Sequence, residues 1–355
     1  MKRTDEARTI LITGAGGFIG GWVAEMLHLQ GNWHVRAGVR RWPSAARIAR
    51  FPMEIVLCDV NDPASVAMAA DGCTDIVHCA TADGHTIVDG TRNVLEAALQ
   101  IHARVIHLSS IAVYGDAPGH VPEDTPFARH GSEYSQAKVA SEYLCHAYHQ
   151  RGVKTVILRP TIVYGPYSTW WTTNVALRLL TGQWGNIGSA GGGTCNLVYV
   201  LDVVQAIRRA LRCEAANGQA FNVNGPSAVT WSEYFAEFNK ALGLPELKNV
   251  NPTLARWRSR LLFPARCFGK FMLEKHRGLL ISVANRSRRI KSALKSAEST
   301  LRATATSDQL ALYGLKAHYP SGKAEQMLGY RPHFDVEAGL DMSCAWLKHS
   351  GIIER

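Results

Sequence analysis

Tyr134 and Lys138 stand four residues apart in Tyr134-Ser135-Gln136-Ala137-Lys138, at the start of a stretch whose pattern predicts a helix from about Ser135 to Arg151. That spacing points both side chains to one helix face. A free tyrosine, with a pKa near 10, is a poor base at neutral pH, and a neighbouring ammonium favours its phenolate. The pair is therefore a candidate for acid/base work. A second group suits phosphate: Thr13-Gly14-Ala15-Gly16-Gly17-Phe18-Ile19-Gly20 follows the apolar run TILI and opens a helical pattern. Gly14 permits a tight turn, Gly17 lets backbone amides approach a pyrophosphate, and Gly20 lets helix and strand pack closely. Such a dinucleotide turn calls for a carboxylate about twenty residues on, to bind the adenosine ribose. The segment Ala37 to Trp42, AGVRRW, carries Arg40 and Arg41 there instead. Taken alone, Tyr134 and Lys138 could be an ordinary surface pair, and Arg40 and Arg41 a solvated turn leaning on Trp42.

These groups need a scaffold, and the first half of the chain supplies its rhythm. TILIT, a helix through VAEMLHLQ, HVRAGV, EIVLC, DIVHCA, a helix through TRNVLEAALQ, and RVIHLSS follow in turn, with TVILRP, NLVYV and FNVNG later. Strand, helix, strand in that order means crossover connections and a parallel sheet. The expected division is a nucleotide-binding domain over 1–166 with return strands near 197–224. A smaller, mostly helical substrate region covers 167–196 and 225–355.

At 355 residues and 46% hydrophobic content, the chain can bury a substantial core. Its eight cysteines show no CxxC pair or Cys/His cluster, and MKRTDEARTI has no signal-peptide core. A reduced, cytoplasmic protein without structural metal is expected. No apolar run reaches the roughly 18 to 20 residues of a membrane span. The formal charge of +10 is concentrated: residues 254–302 hold thirteen basic residues and two acids, a net +11, so the rest is near neutral. That distribution argues against a nucleic-acid partner. Within the segment, Leu254, Trp257 and Leu261, and again Ile290, Leu294, Ala297 and Leu301, recur at helical spacing among arginines and lysines. Helices of this kind could cap a domain, lie peripherally on an anionic membrane, or grip a substrate diphosphate.

Taken together, TGAGGFIG, Asp59-Val60, GTRNVLEAA, SSIAVYG, Tyr134 with Lys138, LRPTIVYGP, VYVLDVVQA and LGYRPHFDVEAGL resemble the extended short-chain dehydrogenases/reductases, the NAD-dependent epimerase/dehydratase group. The resemblance covers nearly the whole chain. It implies an α/β fold, a Rossmann-type doubly wound parallel sheet with a smaller C-terminal substrate domain. It also implies an enzyme in which Tyr134 exchanges a proton with a substrate hydroxyl or carbonyl while hydride moves to or from a nicotinamide. Lys138 would assist the phenol and hold the nicotinamide ribose, and Ser110 would orient the reacting oxygen. Gly14, Gly17, Phe18, Ile19 and Gly20 would receive the diphosphate and Asp59 with Val60 the adenine. Cys79, Ala80, Thr81 and Pro160 would line the cofactor beside Tyr134 and Lys138. Val39 falls where NAD-preferring members carry an acid, and Arg40 follows it. A guanidinium pairs with a 2′-phosphate that an acid would repel, so NADP(H) is the preferred cofactor and NAD(H) the alternative. A homodimer is the assembly the resemblance suggests.

Departures from the family pattern bear on the substrate. Ile162 replaces the asparagine of RPxNVYGP, and Cys195-Asn196 stand where sugar-nucleotide members often carry arginine. Ile111-Ala112 cannot supply a dehydratase's acid. Ile87 replaces the asparagine of NVxGT within the short stretch Ala80 to Thr91, which suggests an open rim over the nicotinamide. Fourteen histidines are dispersed, and none is assigned a catalytic part. The leading expectation is a carbonyl reductase or alcohol dehydrogenase for an apolar small molecule. The alternatives are a sugar-nucleotide epimerase or reductase and a non-catalytic NADP-sensing protein, the latter having no need of an acid/base set.

Overall fold

Seven short apolar runs pair into one parallel sheet: β1 (Arg8–Thr13), β2 (Trp33–Val39), β3 (Glu54–Leu57), β4 (Asp75–His78), β5 (Arg104–Leu108), β6 (Thr155–Pro160) and β7 (Ala220–Val223). The structure is a computed structural model that describes residues 8–249, 257, 261 and 304–353. The basic segment 254–302, with its membrane-surface expectation, therefore lies outside the described residues apart from Trp257 and Leu261. Strand order is β7-β6-β5-β4-β1-β2-β3. Ile10 of β1 stands opposite Val35 on one side and Asp75 on the other, so the order reverses at β1. In a doubly wound sheet that reversal opens a crevice at the strand ends, here between the segments leaving β1 and β4.

Helices α1 (Phe18–Gln30), α2 (Pro63–Ala70), α3 (Gly84–Ile101), α4 (Glu133–Gln150) and α5 (Val200–Ala210) flank this sheet. β4, β5 and β6 are buried at every residue, as parallel strands covered on both faces must be. Leu11, Val66, Ile76, Leu95, Val105 and Cys145 form the core between sheet and helices. Short side chains start three helices: Asp62 accepts from the Ala64 amide, Asp83 from Thr86 and Ser132 from Ser135. The Asp83 cap changes one expectation. Because α3 begins at Gly84, most of the stretch from Ala80 to Thr91 is helix, and Ile87 is buried in it rather than standing at an open rim.

The chain divides into two compact units. The first comprises residues up to Val163, Asn196–Pro226 and His318–Phe334; the second takes Tyr164–Cys195, Ser227–Ala317 and Asp335–Arg355. Residues 318–334, assigned above to the substrate region, thus cluster with the sheet. There the Tyr330 hydroxyl donates to the Asn224 carbonyl (2.8 Å), the Asn224 amide to Ser321 Oγ (2.9 Å), and the His333 amide to buried Asp202 (2.9 Å). No apolar strand run marks this segment, so its attachment by single polar anchors escapes periodicity. In the second unit, Trp231, Tyr234, Phe235 and Tyr313 pack ring against ring, all fully buried. No helix among the described residues is long and apolar enough to cross a membrane.

Candidate active site

The turn after β1 is built by glycine. Gly14 takes φ of +70°, and a side chain there would come within 2.8 Å of the Ala80 backbone. A side chain on Gly20 would strike the Gly14 carbonyl, so α1 starts hard against the strand. The Ala15 amide donates to the Gly38 carbonyl (3.0 Å), which ties the turn to β2. Gly17, the residue capping α1, provides no side-chain acceptor. The first-turn amides of Phe18, Ile19 and Gly20 thus stand at the positive end of a 13-residue helix, beneath exposed Gly16 and Gly17. This surface fits the diphosphate of a dinucleotide.

Arg40 follows buried Val39 at the end of β2 and is exposed, with no ion-pair partner among the described residues. The Cys58 amide donates to the Val39 carbonyl (2.9 Å), which brings Asp59 and Val60 alongside. Asp59 accepts from the Asn61 amide (3.1 Å), and Val60 is buried against Gly90 of α3. On the other side of β1, the Cys79 amide donates to the Thr13 carbonyl (3.3 Å) and the Ala80 amide to Thr13 Oγ1 (3.4 Å), leaving Thr81 exposed. Burial pushes the Cys79 thiol up to about 12, so it stays protonated. Pro160 ends β6 and is buried.

Ser110, Tyr134 and Lys138 come together at the end of β5 and the start of α4. Ser135 Oγ donates to the Ala112 carbonyl (2.7 Å), and Glu133 accepts from the Gly84 amide (3.1 Å), so the first turn of α4 is tied to both the Ser110 segment and α3. The Ser110 hydroxyl lies beside the Tyr134 phenol, close enough to favour its phenolate. Desolvation raises that phenol from its ordinary value and the neighbouring Ser110 hydroxyl works against the rise, although the residue as a whole is 41% exposed. Lys138 is buried; its ammonium donates to the Leu108 carbonyl (2.7 Å) and lies 5.9 Å from the centre of the Tyr134 ring. Burial brings the Lys138 ammonium down to about 8, against the opposing pull of the Glu142 carboxylate. The charge therefore meets the ring face of Tyr134, and in the protein alone desolvation governs the phenol. It stays protonated, as a proton donor to a carbonyl must be.

Behind this set stands a polar layer that the motifs did not disclose. Glu142, fully buried one turn beyond Lys138, accepts from Ser109 Oγ (2.5 Å) and from Arg159 of β6 (2.6 Å). Arg159 also donates to the Tyr114 hydroxyl (2.6 Å), which donates to Asn222 of β7 (2.8 Å). One ion pair thus joins α4 to β6, with the Ser109 hydroxyl at the end of β5 held beside it. His78 and His107, opposite each other in β4 and β5, pack with tilted rings whose centres are 5.5 Å apart. Thr91 Oγ1 donates to the Ile87 carbonyl (2.6 Å), so it accepts from His78 Nε2 (3.2 Å), and His78 Nδ1 accepts from Thr13 Oγ1 (2.8 Å). Ser141 Oγ likewise donates to the Lys138 carbonyl and accepts from His107 Nε2 (3.0 Å). Burial, with Lys138 adding to it, holds His78 down to about 3 and His107 well below 6.5. Both rings are neutral struts. No group of His, Cys, Asp and Glu side chains suited to a metal ion occurs among the described residues.

The sequence profile of the NAD dependent epimerase/dehydratase family matches residues 10–224. Cinnamoyl-CoA reductase 1 of Oryza sativa subsp. japonica is 30% identical over 206 residues, 50% of this chain and 60% of that protein. The chain thus spans less than two thirds of that relative. UDP-glucose 4-epimerase of Mycolicibacterium smegmatis is 28% identical over 270 residues, 68% of this chain and 85% of its own. Among solved structures, UDP-glucuronic acid 4-epimerase from Bacillus cereus in complex with NAD superposes with a TM-score of 0.70 at 19% identity, over 96% of this chain and 99% of that one. At that identity the superposition speaks for the fold.

Proposed function

Because the chain belongs to the NAD-dependent epimerase/dehydratase family, we propose that it is an NADP(H)-dependent oxidoreductase interconverting a carbonyl and a secondary alcohol on a largely apolar substrate of lipid, steroid-like or polyketide-like kind. The observation that carries this reading is the Tyr134 phenol set beside Ser110 and backed by buried Lys138. When bound, a nicotinamide held over this set would supply or accept the hydride at the substrate carbon. Tyr134 gives its proton to the substrate oxygen in reduction and takes it back in oxidation. Ser110 donates to the same oxygen and fixes its direction, and Lys138 holds the nicotinamide ribose. The positive charge of Lys138 compensates the phenolate left when Tyr134 has given up its proton.

An apolar substrate is supported by what replaces the family's polar handles. Ile162 and Cys195 are buried, and buried Asn196 accepts from the Asn224 side-chain amide (3.3 Å). Conversion of apolar ketones with NADPH, followed by nicotinamide absorbance, is the direct assay. The sugar-nucleotide reading is favoured by the extent of the Mycolicibacterium match. It predicts the opposite result: interconversion of a UDP-sugar, with no net turnover of added cofactor and no reduction of apolar ketones.

The preference for NADP(H) rests on Arg40, exposed and unpaired among the described residues where a carboxylate would favour NAD(H). Arg40→Ala is expected to weaken NADPH binding by about tenfold to a hundredfold, the range of one charge-assisted hydrogen bond, and to leave NADH binding nearly unchanged. Titration of both cofactors against both proteins measures this. Equal affinity of the unmodified protein for NADH and NADPH refutes it.

A further inference from the structure

Glu25 is a carboxylate almost fully buried on α1, yet it belongs to neither the phosphate turn nor the catalytic set. It receives two arginines from the segment that follows β2. Arg47 binds it through both Nε (3.0 Å) and Nη2 (2.8 Å), and Arg50 through Nη2 (2.8 Å). Arg47 reaches further along the same helix: its Nη1 donates to the Phe18 carbonyl (3.5 Å), and its guanidinium lies 4.6 Å from the centre of the Trp22 ring. The held segment runs back without a break to Arg40. Arg41 accepts from the Ser44 amide (3.0 Å), and Ser44 packs so closely on Gly16 that any side chain on that glycine would collide with it. One helix therefore presents the diphosphate amides at its start and, through Glu25 two turns later, anchors the segment that carries Arg40.

We propose that Glu25 is a positioning residue for recognition of the 2′-phosphate: by fixing Arg47 and Arg50 it sets the Arg40 segment at a constant distance from the phosphate turn of α1. The proposal rests on the reading that Arg40 receives the 2′-phosphate. A bidentate guanidinium–carboxylate pair buried from solvent has a defined direction, whereas a solvated loop of this length would sample many. Without the anchor, Arg40 must be ordered at the moment of binding, and that cost falls on the 2′-phosphate alone. The diphosphate amides belong to α1 itself and do not depend on the anchor.

The test compares 2′,5′-ADP with 5′-AMP by calorimetric titration, together with melting temperature. In Glu25→Gln, affinity for 2′,5′-ADP is expected to fall about tenfold while that for 5′-AMP stays nearly level. Arg50→Gln removes one arm of the anchor at a side chain 56% exposed, so the fold is kept if Glu25→Gln proves unstable. It is expected to lower the 2′,5′-ADP to 5′-AMP preference about threefold at an unchanged melting temperature. An unchanged preference in a folded Arg50→Gln protein, or a parallel loss of both ligands, overturns the proposal. If the unmodified protein does not distinguish the two ligands, the Arg40 reading fails first and the proposal with it.

Discussion

Replacing Tyr134 by phenylalanine is expected to lower turnover by about 10² to 10⁴, the range for loss of one general acid, with cofactor affinity nearly intact. The ring that faces the Lys138 ammonium at 5.9 Å remains, so the packing of α4 against β5 is preserved. Only the hydroxyl beside Ser110 is gone. Lys138→Met behaves differently. Its ammonium supports the phenol and, by the proposed function, the nicotinamide ribose, so turnover and cofactor affinity should fall together. Single-turnover rates and cofactor titrations on both variants separate these effects. Near-normal turnover in the phenylalanine variant refutes the proton-carrier role.

Acidification from pH 7 to pH 5 is expected to cost the folded protein about 2 kcal/mol through buried, neutral His78, with buried His107 adding in the same direction. His78 is held down to about 3 and His107 well below 6.5, whereas in the unfolded chain both titrate near 6.5. Below that value the unfolded state binds protons that the folded state refuses, so stability falls as pH falls. The loss approaches about 1.4 kcal/mol per pH unit for each ring. Their contribution is complete above pH 6.5, and for His78 the decline ends near its folded value of about 3. Denaturant unfolding at a series of pH values gives the slope. His107→Phe removes one of the two rings and should make the slope between pH 6 and pH 5 measurably shallower. An unchanged slope in that variant would assign the acid sensitivity elsewhere.

Much of this arrangement was legible in the chain because it depends on local order. β-Branched runs such as DIV and RVI announced buried parallel strands, and the glycines announced a turn that only glycine can make at positions 14 and 20. Tyr134 and Lys138 were visible because a helix brings every fourth residue to one face. What could not be read were the pairings between distant residues. Nothing local tells that Glu142 will meet Arg159, that Glu25 will collect Arg47 and Arg50, or that His78 will join Thr13 to Thr91. A lone histidine inside DIVHCA reads as a core residue, which it is, but the direction of its two hydrogen bonds exists only once three elements have met. The expected effect of Lys138 on Tyr134 was also incomplete, because spacing gives proximity and says nothing of which part of the ring the ammonium faces.

The first unit is assembled from three separate pieces of chain, ending with residues 318–334. During synthesis this has a temporal meaning. The edge strand β7 leaves the ribosome more than a hundred residues before Tyr330, whose hydroxyl will hold the Asn224 carbonyl at its end. At ordinary elongation rates that interval is on the order of ten seconds. Throughout it the nascent sheet has its nucleotide turn and its Tyr134 helix but lacks its last fastening, with the whole second stretch of the other unit emerging in between. A chain released before residue 334 would therefore carry every catalytic group and still lack a finished domain, so a truncation meant to isolate the nucleotide-binding half must splice the late segment back in.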